Sequence, residues 1–330
     1  MPTVTKQRPL PSANGPPPVL GPPDSMLSRG VPVARVFMPL PRTYLFYGIN
    51  RVGKTSLACQ FPRPLALVSF EPSPFTGGAT SVVKIPGVTY YKVVPSTAVG
   101  RAPDLPGLIP GTMAAMRLAE ELAEDFMSGR KMFKTVVVDG GTSVQDVALC
   151  ELMDLPELPA QMKFAKSKED RSYGVATSEN YMDRSAKAKE ILRKFLNVPT
   201  TVVILAKERD HNPPKDDKGN VRRDKLTRGL QLESFVAPDL GQATAGWLMD
   251  ACQCMCRMYV ADETKIERYN VNGQIQEQVI GTGKMTRRLL LQLQTNFAAG
   301  VQCANPDLPD WVEGNTAKKL YDELIRVLSL

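Results

Sequence analysis

The chain has 330 residues, 43% apolar and 23% charged, a composition ordinary for a globular protein with one large α/β domain or two small ones. Its formal charge of +7 attracts anions without requiring a nucleic acid. No apolar run approaches the roughly 20 residues of a membrane helix, no secretory core opens the chain, and six cysteines are too few for a disulfide framework. These features predict a reduced, cytoplasmic protein with no membrane partner.

Residues 1–40 are rich in proline (Pro16-Pro17-Pro18, Pro22-Pro23) and poor in large apolar side chains. Such a segment cannot offset its ordering entropy by burial, which predicts a disordered arm. From Thr43 the pattern changes. Thr43–Tyr47 is a β-prone run, and Gly48-Ile49-Asn50-Arg51-Val52-Gly53-Lys54-Thr55 follows it as a complete G-x-x-x-x-G-K-T phosphate-binding loop. Thr55–Gln60 reads as a short helix stopped by Pro62. Leu65–Phe70 is a buried-type strand, Tyr90–Val94 a second, and Met113–Phe126 has helical spacing. Thr135–Val138 is a continuous apolar strand, Thr177–Leu196 a helix, and Thr200–Ala206 another continuous strand. Apolar-through strands alternating with helices imply a mostly parallel sheet covered on both faces. Later, Cys252–Val260 alternates as a strand, and Lys265–Val271 and Gln274–Ile280 form a hairpin turning at Asn272-Gly273. Leu289–Leu293 reads as a further strand, and Thr316–Leu328 as an amphipathic helix. The expected organisation is an arm over 1–40, a core domain over 41–300 and a C-terminal helical segment over 301–330.

The loop's glycines let successive N–H groups face a phosphate. Gly48 to Ser56 would form the nucleotide cradle, with Lys54 reaching the β- and γ-phosphates and Thr55 sitting on Mg²⁺. Asp139 closes an apolar strand, where such folds place the carboxylate that organises the metal. Glu71, at the end of Leu65–Phe70, is the candidate for orienting the attacking water. Lys207, closing Thr201–Ala206, could sense the γ-phosphate. Residues 207–228 carry eight basic and five acidic side chains and no aromatic residue. Lys215, Lys218, Arg222, Arg223, Lys225 and Arg228 are therefore candidate phosphate contacts to DNA, without base stacking. The polar 155–180 stretch is a second candidate for DNA contact. Lys284, Arg287 and Arg288 are candidate cations for a neighbouring subunit's γ-phosphate, as an arginine finger is. Cys252, Cys254 and Cys256 would share one face of a strand and read as small core residues, since thiols spaced that way converge poorly on zinc. His211 has no histidine partner and no assigned role.

The order of elements resembles the phage RecA-like P-loop ATPases, a family that includes single-strand-annealing and recombination ATPases. The residues that carry the resemblance are Tyr44–Gly48 through Lys54-Thr55, Leu67–Glu71, Val136–Ser143 and Val203–Glu208. Pro238–Gly241 and Asn305–Pro309 add to it, and it spans roughly residues 42–328. It implies an α/β RecA-like P-loop NTPase core with a mostly parallel sheet covered by helices and antiparallel strands added toward the C-terminus. It further implies ATP hydrolysis, self-assembly into a ring or filament, and a role in DNA recombination or replication. By position Glu71 matches the activating glutamate and Asp139 the Walker B aspartate. The leading expectation is thus an ATP- and Mg²⁺-dependent ATPase acting on single-stranded DNA as a homo-oligomer, with a single-strand-binding protein as a further partner and the host cytoplasm as its location. The alternative is a nucleotide-switched assembly protein with little hydrolysis and protein partners. A P-loop kinase ranks below both, because no acceptor-binding lid emerges from the sequence.

Overall fold

Apolar runs without polar alternation must be buried on both faces, and here they become the adjacent strands of one mixed sheet. The computed structural model describes residues 40–71, 84–101, 107–130, 132–158, 163–164, 175–211, 235–271, 274–294, 297–302, 305 and 307–329. All belong to the unit Pro39–Leu330, the other unit being Met1–Met38. The predicted arm lies outside the described residues apart from Leu40. So do Lys215, Lys218, Arg222, Arg223, Lys225 and Arg228, and much of the 155–180 stretch.

The elements run β1 (Thr43–Gly48), α1 (Lys54–Ala58), β2 (Leu65–Ser69), β3 (Val88–Val94), a 3₁₀ turn at Ser96–Arg101, β4 (Leu108–Pro110), α2 (Gly111–Met127), β5 (Thr135–Asp139) and α3 (Gly141–Leu152). A small pair, β6 (Lys163–Phe164) and β7 (Val175–Ala176), precedes α4 (Ser178–Leu196). Then come β8 (Thr201–His211), β9 (Phe235–Pro238), α5 (Gln242–Ala251), β10 (Cys254–Val271), β11 (Gln274–Leu290), β12 (Gly300–Val301), β13 (Trp311–Gly314) and α6 (Ala317–Leu328).

The sheet order is β13-β11-β10-β1-β8-β5-β2-β3-β4, and every pairing from β10 through β4 is parallel. Antiparallel pairings join β10 to β11 and β11 to β13, while β12 and β9 attach antiparallel to β10 and β8. The anticipated α/β class, with a mostly parallel sheet and antiparallel strands toward the C-terminus, is what the structure shows.

Strand alternation divides the core into two layers. Leu45, Tyr47, Val68, Val138 and Ile204 face α2, α3, α4 and α5. Tyr44, Phe46, Leu67, Val137 and Leu205 face α1 and α6. Two helices start on side-chain caps: Thr177 forms a capping box with Asn180, and the Thr316 hydroxyl accepts from the Lys319 N–H at 3.2 Å.

Two expectations need correction. Leu289–Leu293 is not a separate strand, because its first two residues finish the 17-residue β11. The β10–β11 ribbon outruns the rest of the sheet: β10 meets β1 opposite Tyr44–Tyr47, and β11 meets β13 only over Arg287–Leu290. Cross-strand pairing with β10, continuous except for a bulge between Asp262 and Thr264, carries β11 through Gly281 and Gly283. The three cysteines also do not share one face. Cys254 and Cys256 face the α6 layer with their sulfurs 3.5 Å apart, whereas Cys252 caps α5 and packs in the opposite layer. All three are buried, as core residues should be.

Candidate functional site

The parallel strands end on one rim, and register decides which residues meet there. Gly48 pairs with Lys207, and Asp139 lies between Leu205 and Ser69. Glu71 leaves the same rim two residues past β2, held by the Phe70 N–H donating to the Asp139 carbonyl at 2.8 Å. Parallel pairing therefore gathers the phosphate loop, Asp139, Glu71 and Lys207.

The loop leaves β1 at Gly48, exposes Ile49, Asn50 and Arg51, and enters α1 through Gly53. Gly53 sits at φ 107°, a left-handed conformation that strains any side-chain-bearing residue. The Lys54 ammonium donates to the carbonyls of Gly48 and Ile49, both at 2.8 Å, and so lies inside the curl of the loop. Burial lowers its pKa to about 8, with Asp139, Glu208 and Glu71 pulling it back up, so it remains mostly charged at pH 7. Ser56 contributes its carbonyl to Gln60 at 3.2 Å within the first turns of the helix.

Thr55 donates its hydroxyl to Asp139 Oδ2 at 3.0 Å. The two residues expected to organise a metal thus converge, although 84 positions separate them in sequence. Burial pushes the Asp139 carboxyl up to about 6; the Thr55 hydroxyl, Lys54 and Lys92 oppose the shift, and Glu71 adds to it. A buried carboxylate beside a hydroxyl is a pair of hard oxygen donors suited to Mg²⁺, which takes one or two carboxylates and fills its remaining positions with water and phosphate oxygens. No cluster of three ligating His, Cys, Asp or Glu occurs among the described residues.

Glu71 and Lys207 form an ion pair at 3.8 Å, both partly exposed. Thr142, in the first turn of α3, accepts the Lys207 N–H at 3.1 Å and ties this strand end to the helix after Asp139. Of the three expected trans-acting cations, Arg287 touches the loop of its own chain, donating from Nε to the Val52 carbonyl at 2.9 Å and from Nη1 to Asn315 at 3.3 Å. Arg288 pairs with Glu313 at 2.9 Å, donates to the Asp262 carbonyl and covers the Trp311 ring at 4.1 Å. Lys284 is exposed on β11.

Sequence reasoning missed Tyr90 and Lys92, and gave Glu208 no partner. Tyr90 bonds Ser69 beneath the site. Glu208 takes Arg257 in a two-pronged ion pair at 2.9 and 3.2 Å, with the guanidinium 4.1 Å from the Phe297 ring centre. Lys92 is buried and donates its ammonium to the Glu71 carbonyl. The only sequence signal for Lys92 was a charge inside the β-prone run Tyr90–Val94.

Residues 40–288 match the family described as AAA domain. No curated protein matches the chain in sequence. Among solved structures, a KaiC-like protein from the hyperthermophilic archaeon Pyrococcus horikoshii OT3 is 12% identical with a TM-score of 0.31, covering 79% of this chain and 89% of that one. The RadB recombinase is 13% identical with a TM-score of 0.33, covering 84% and 90%. The flagellar accessory protein FlaH from Methanocaldococcus jannaschii is 9% identical with a TM-score of 0.24, covering 79% and 91%. No helix among the described residues is long and apolar enough to cross a membrane.

Proposed function

The chain belongs to the AAA domain family, and we propose that it binds and hydrolyses ATP and acts on single-stranded DNA in phage recombination or replication. The observation that carries the nucleotide part is the Thr55–Asp139 hydrogen bond beside a loop that curls around Lys54. That geometry puts a cation for the β- and γ-phosphates next to the donors a nucleotide-bound Mg²⁺ needs.

Gly48 through Ser56 present the loop to the phosphates, and Lys54 neutralises charge as it shifts toward the γ-phosphate in the transition state. Thr55 and Asp139 would hold Mg²⁺, which would supply positive charge to offset that of the phosphates. Glu71 would orient the attacking water, and Lys207, 3.8 Å from its carboxylate, would release it when the γ-phosphate competes for the ammonium. The start of the basic segment supports the DNA part, because β8 carries the chain from Lys207 to His211 beside the site, and Asp239, farther along, donates its N–H to the Lys207 carbonyl at 2.7 Å. Assembly into a ring or filament would bring a neighbour's Lys284 toward the nucleotide.

The deciding experiment measures phosphate release with and without single-stranded DNA, alongside particle size with and without ATP. ATP turnover that DNA stimulates is the expected result. Assembly driven by ATP without turnover would replace this reading with that of a nucleotide-switched assembly protein, and phosphoryl transfer to an added metabolite would make it a kinase.

The raised pKa of Asp139 makes metal binding depend on pH. The folded form holds this proton more tightly than the unfolded chain, so Asp139 stabilises the fold below its ordinary pKa and loses that contribution as the pH rises through about 6. Metal binding runs the other way, since it needs the carboxylate. The Mg²⁺ concentration for half-maximal binding of a fluorescent ATP analogue, corrected for the nucleotide's own protonation, should rise roughly fourfold from pH 7.5 to 5.5. A requirement that does not change with pH would remove Asp139 from the metal site.

A further inference from the structure

Lys92 is a fully charged type of side chain at 1% exposure in the interior of a parallel sheet. Lysines are rarely buried so completely, because desolvating an ammonium is costly unless it is bonded. Its place in the sheet is specific. Lys92 pairs in register with Ser69, and Ser69 pairs with Asp139, so the three side chains form one row across β3, β2 and β5 on the α1 side. Strands lie about 4.8 Å apart, which puts the Lys92 and Asp139 backbones roughly 10 Å apart, within the joint reach of the two side chains. Burial lowers the Lys92 pKa to about 8, and Glu71 followed by Asp139 are the groups that hold it up.

The ammonium donates to the main-chain carbonyl of Glu71. That carbonyl lies just past the last residue of β2, where the ladder with β5 has ended. The Glu71 side chain, meanwhile, lies against Gly140, where an added Cβ would come within 3.2 Å of Oε1, and 3.8 Å from Lys207. Glu71 is therefore held at three points: its backbone by Lys92, its carboxylate by the Gly140 surface and by Lys207. Without Lys92 the Glu71 carbonyl loses this donor, and with it the bond that fixes the main chain at Glu71.

We propose that Lys92 is the positioning residue of Glu71, fixing its main chain so that the carboxylate points at the attacking water. This rests on the ATPase reading above. The test uses the full-length protein with Lys92→Met, which keeps side-chain length and removes the donor. Turnover should fall about 100-fold, the cost of a misplacement near 1 Å, with the KM for ATP changed less than about threefold. Lys92→Gln, which retains a donor, should recover part of the loss. In a Glu71→Gln background, Lys92→Met should cause little further loss, because the positioned group is already gone. Wild-type turnover in Lys92→Met, or equal losses with and without Glu71, would overturn the proposal. So would failure of both Lys92 variants to fold by circular dichroism, which would make the residue a structural cation only. A wild-type protein that releases no phosphate would instead sink the ATPase reading itself.

Discussion

Lys54→Ala should reduce ATP hydrolysis to background while leaving the fold intact. The ammonium lies within the loop, bonded to the Gly48 and Ile49 carbonyls, and nearby carboxylates keep it mostly protonated at neutral pH despite burial. A charge held there in advance costs no reorganisation when negative charge builds on the γ-phosphate. Groups of this kind contribute on the order of 10²–10³ in rate, or about 3–4 kcal/mol, and nothing else in the loop carries a positive charge on its inner side. Arg51, the loop's other cation, is exposed. Phosphate release and nucleotide binding, measured together, check this: turnover should vanish and affinity should weaken by a smaller factor. Undiminished turnover would show that the loop is not the hydrolytic site.

Gly48→Ala should have the largest effect on stability. A Cβ at Gly48 would stand 2.2 Å from the Met258 carbonyl oxygen, a main-chain atom of β10 that cannot swing aside as a side chain could. Accommodating it means prising β10 from β1 where Tyr47 pairs with Arg257. The expected loss is about 3 kcal/mol, equivalent to roughly 4–5 °C in the melting midpoint, together with loss of nucleotide binding. Gly246→Ala is the control, because Gly246 lies in α5 with nothing within 4 Å of the added carbon. Alanine there should be neutral or slightly stabilising. Equal melting of the two variants would refute the proposed clash.

The residues that could be read in advance are those whose role is local. Gly48–Thr55 is contiguous, and the apolar runs ending at Phe70, Val138 and Ala206 show their ends plainly, so Glu71, Asp139 and Lys207 could be placed on one rim before any coordinates. What could not be read depends on register between distant segments. Val52 and Arg287 are 235 positions apart, and only the order of β1, β10 and β11 brings them together. Lys92 is only one charge within a β-prone run until its pairing with Ser69 sets it in one row with Asp139. Helix α3 escaped detection for another reason. Packed between the sheet and α4, it buries Ser143, Val144, Gln145, Val147, Ala148, Leu149 and Cys150, which blurs the one-sided apolar stripe that marks a surface helix.

The nucleotide loop is braced from behind by the root of the β10–β11 ribbon, with Arg287 on Val52 and the Met258 carbonyl against Gly48. Beyond that root the ribbon continues through Val271 and Gln274, a span of roughly 40 Å at ordinary strand rise. The root of the ribbon is thus one wall of the phosphate cradle, so a shift of β10 against β1 at Met258 would reach Gly48, whose carbonyl holds Lys54.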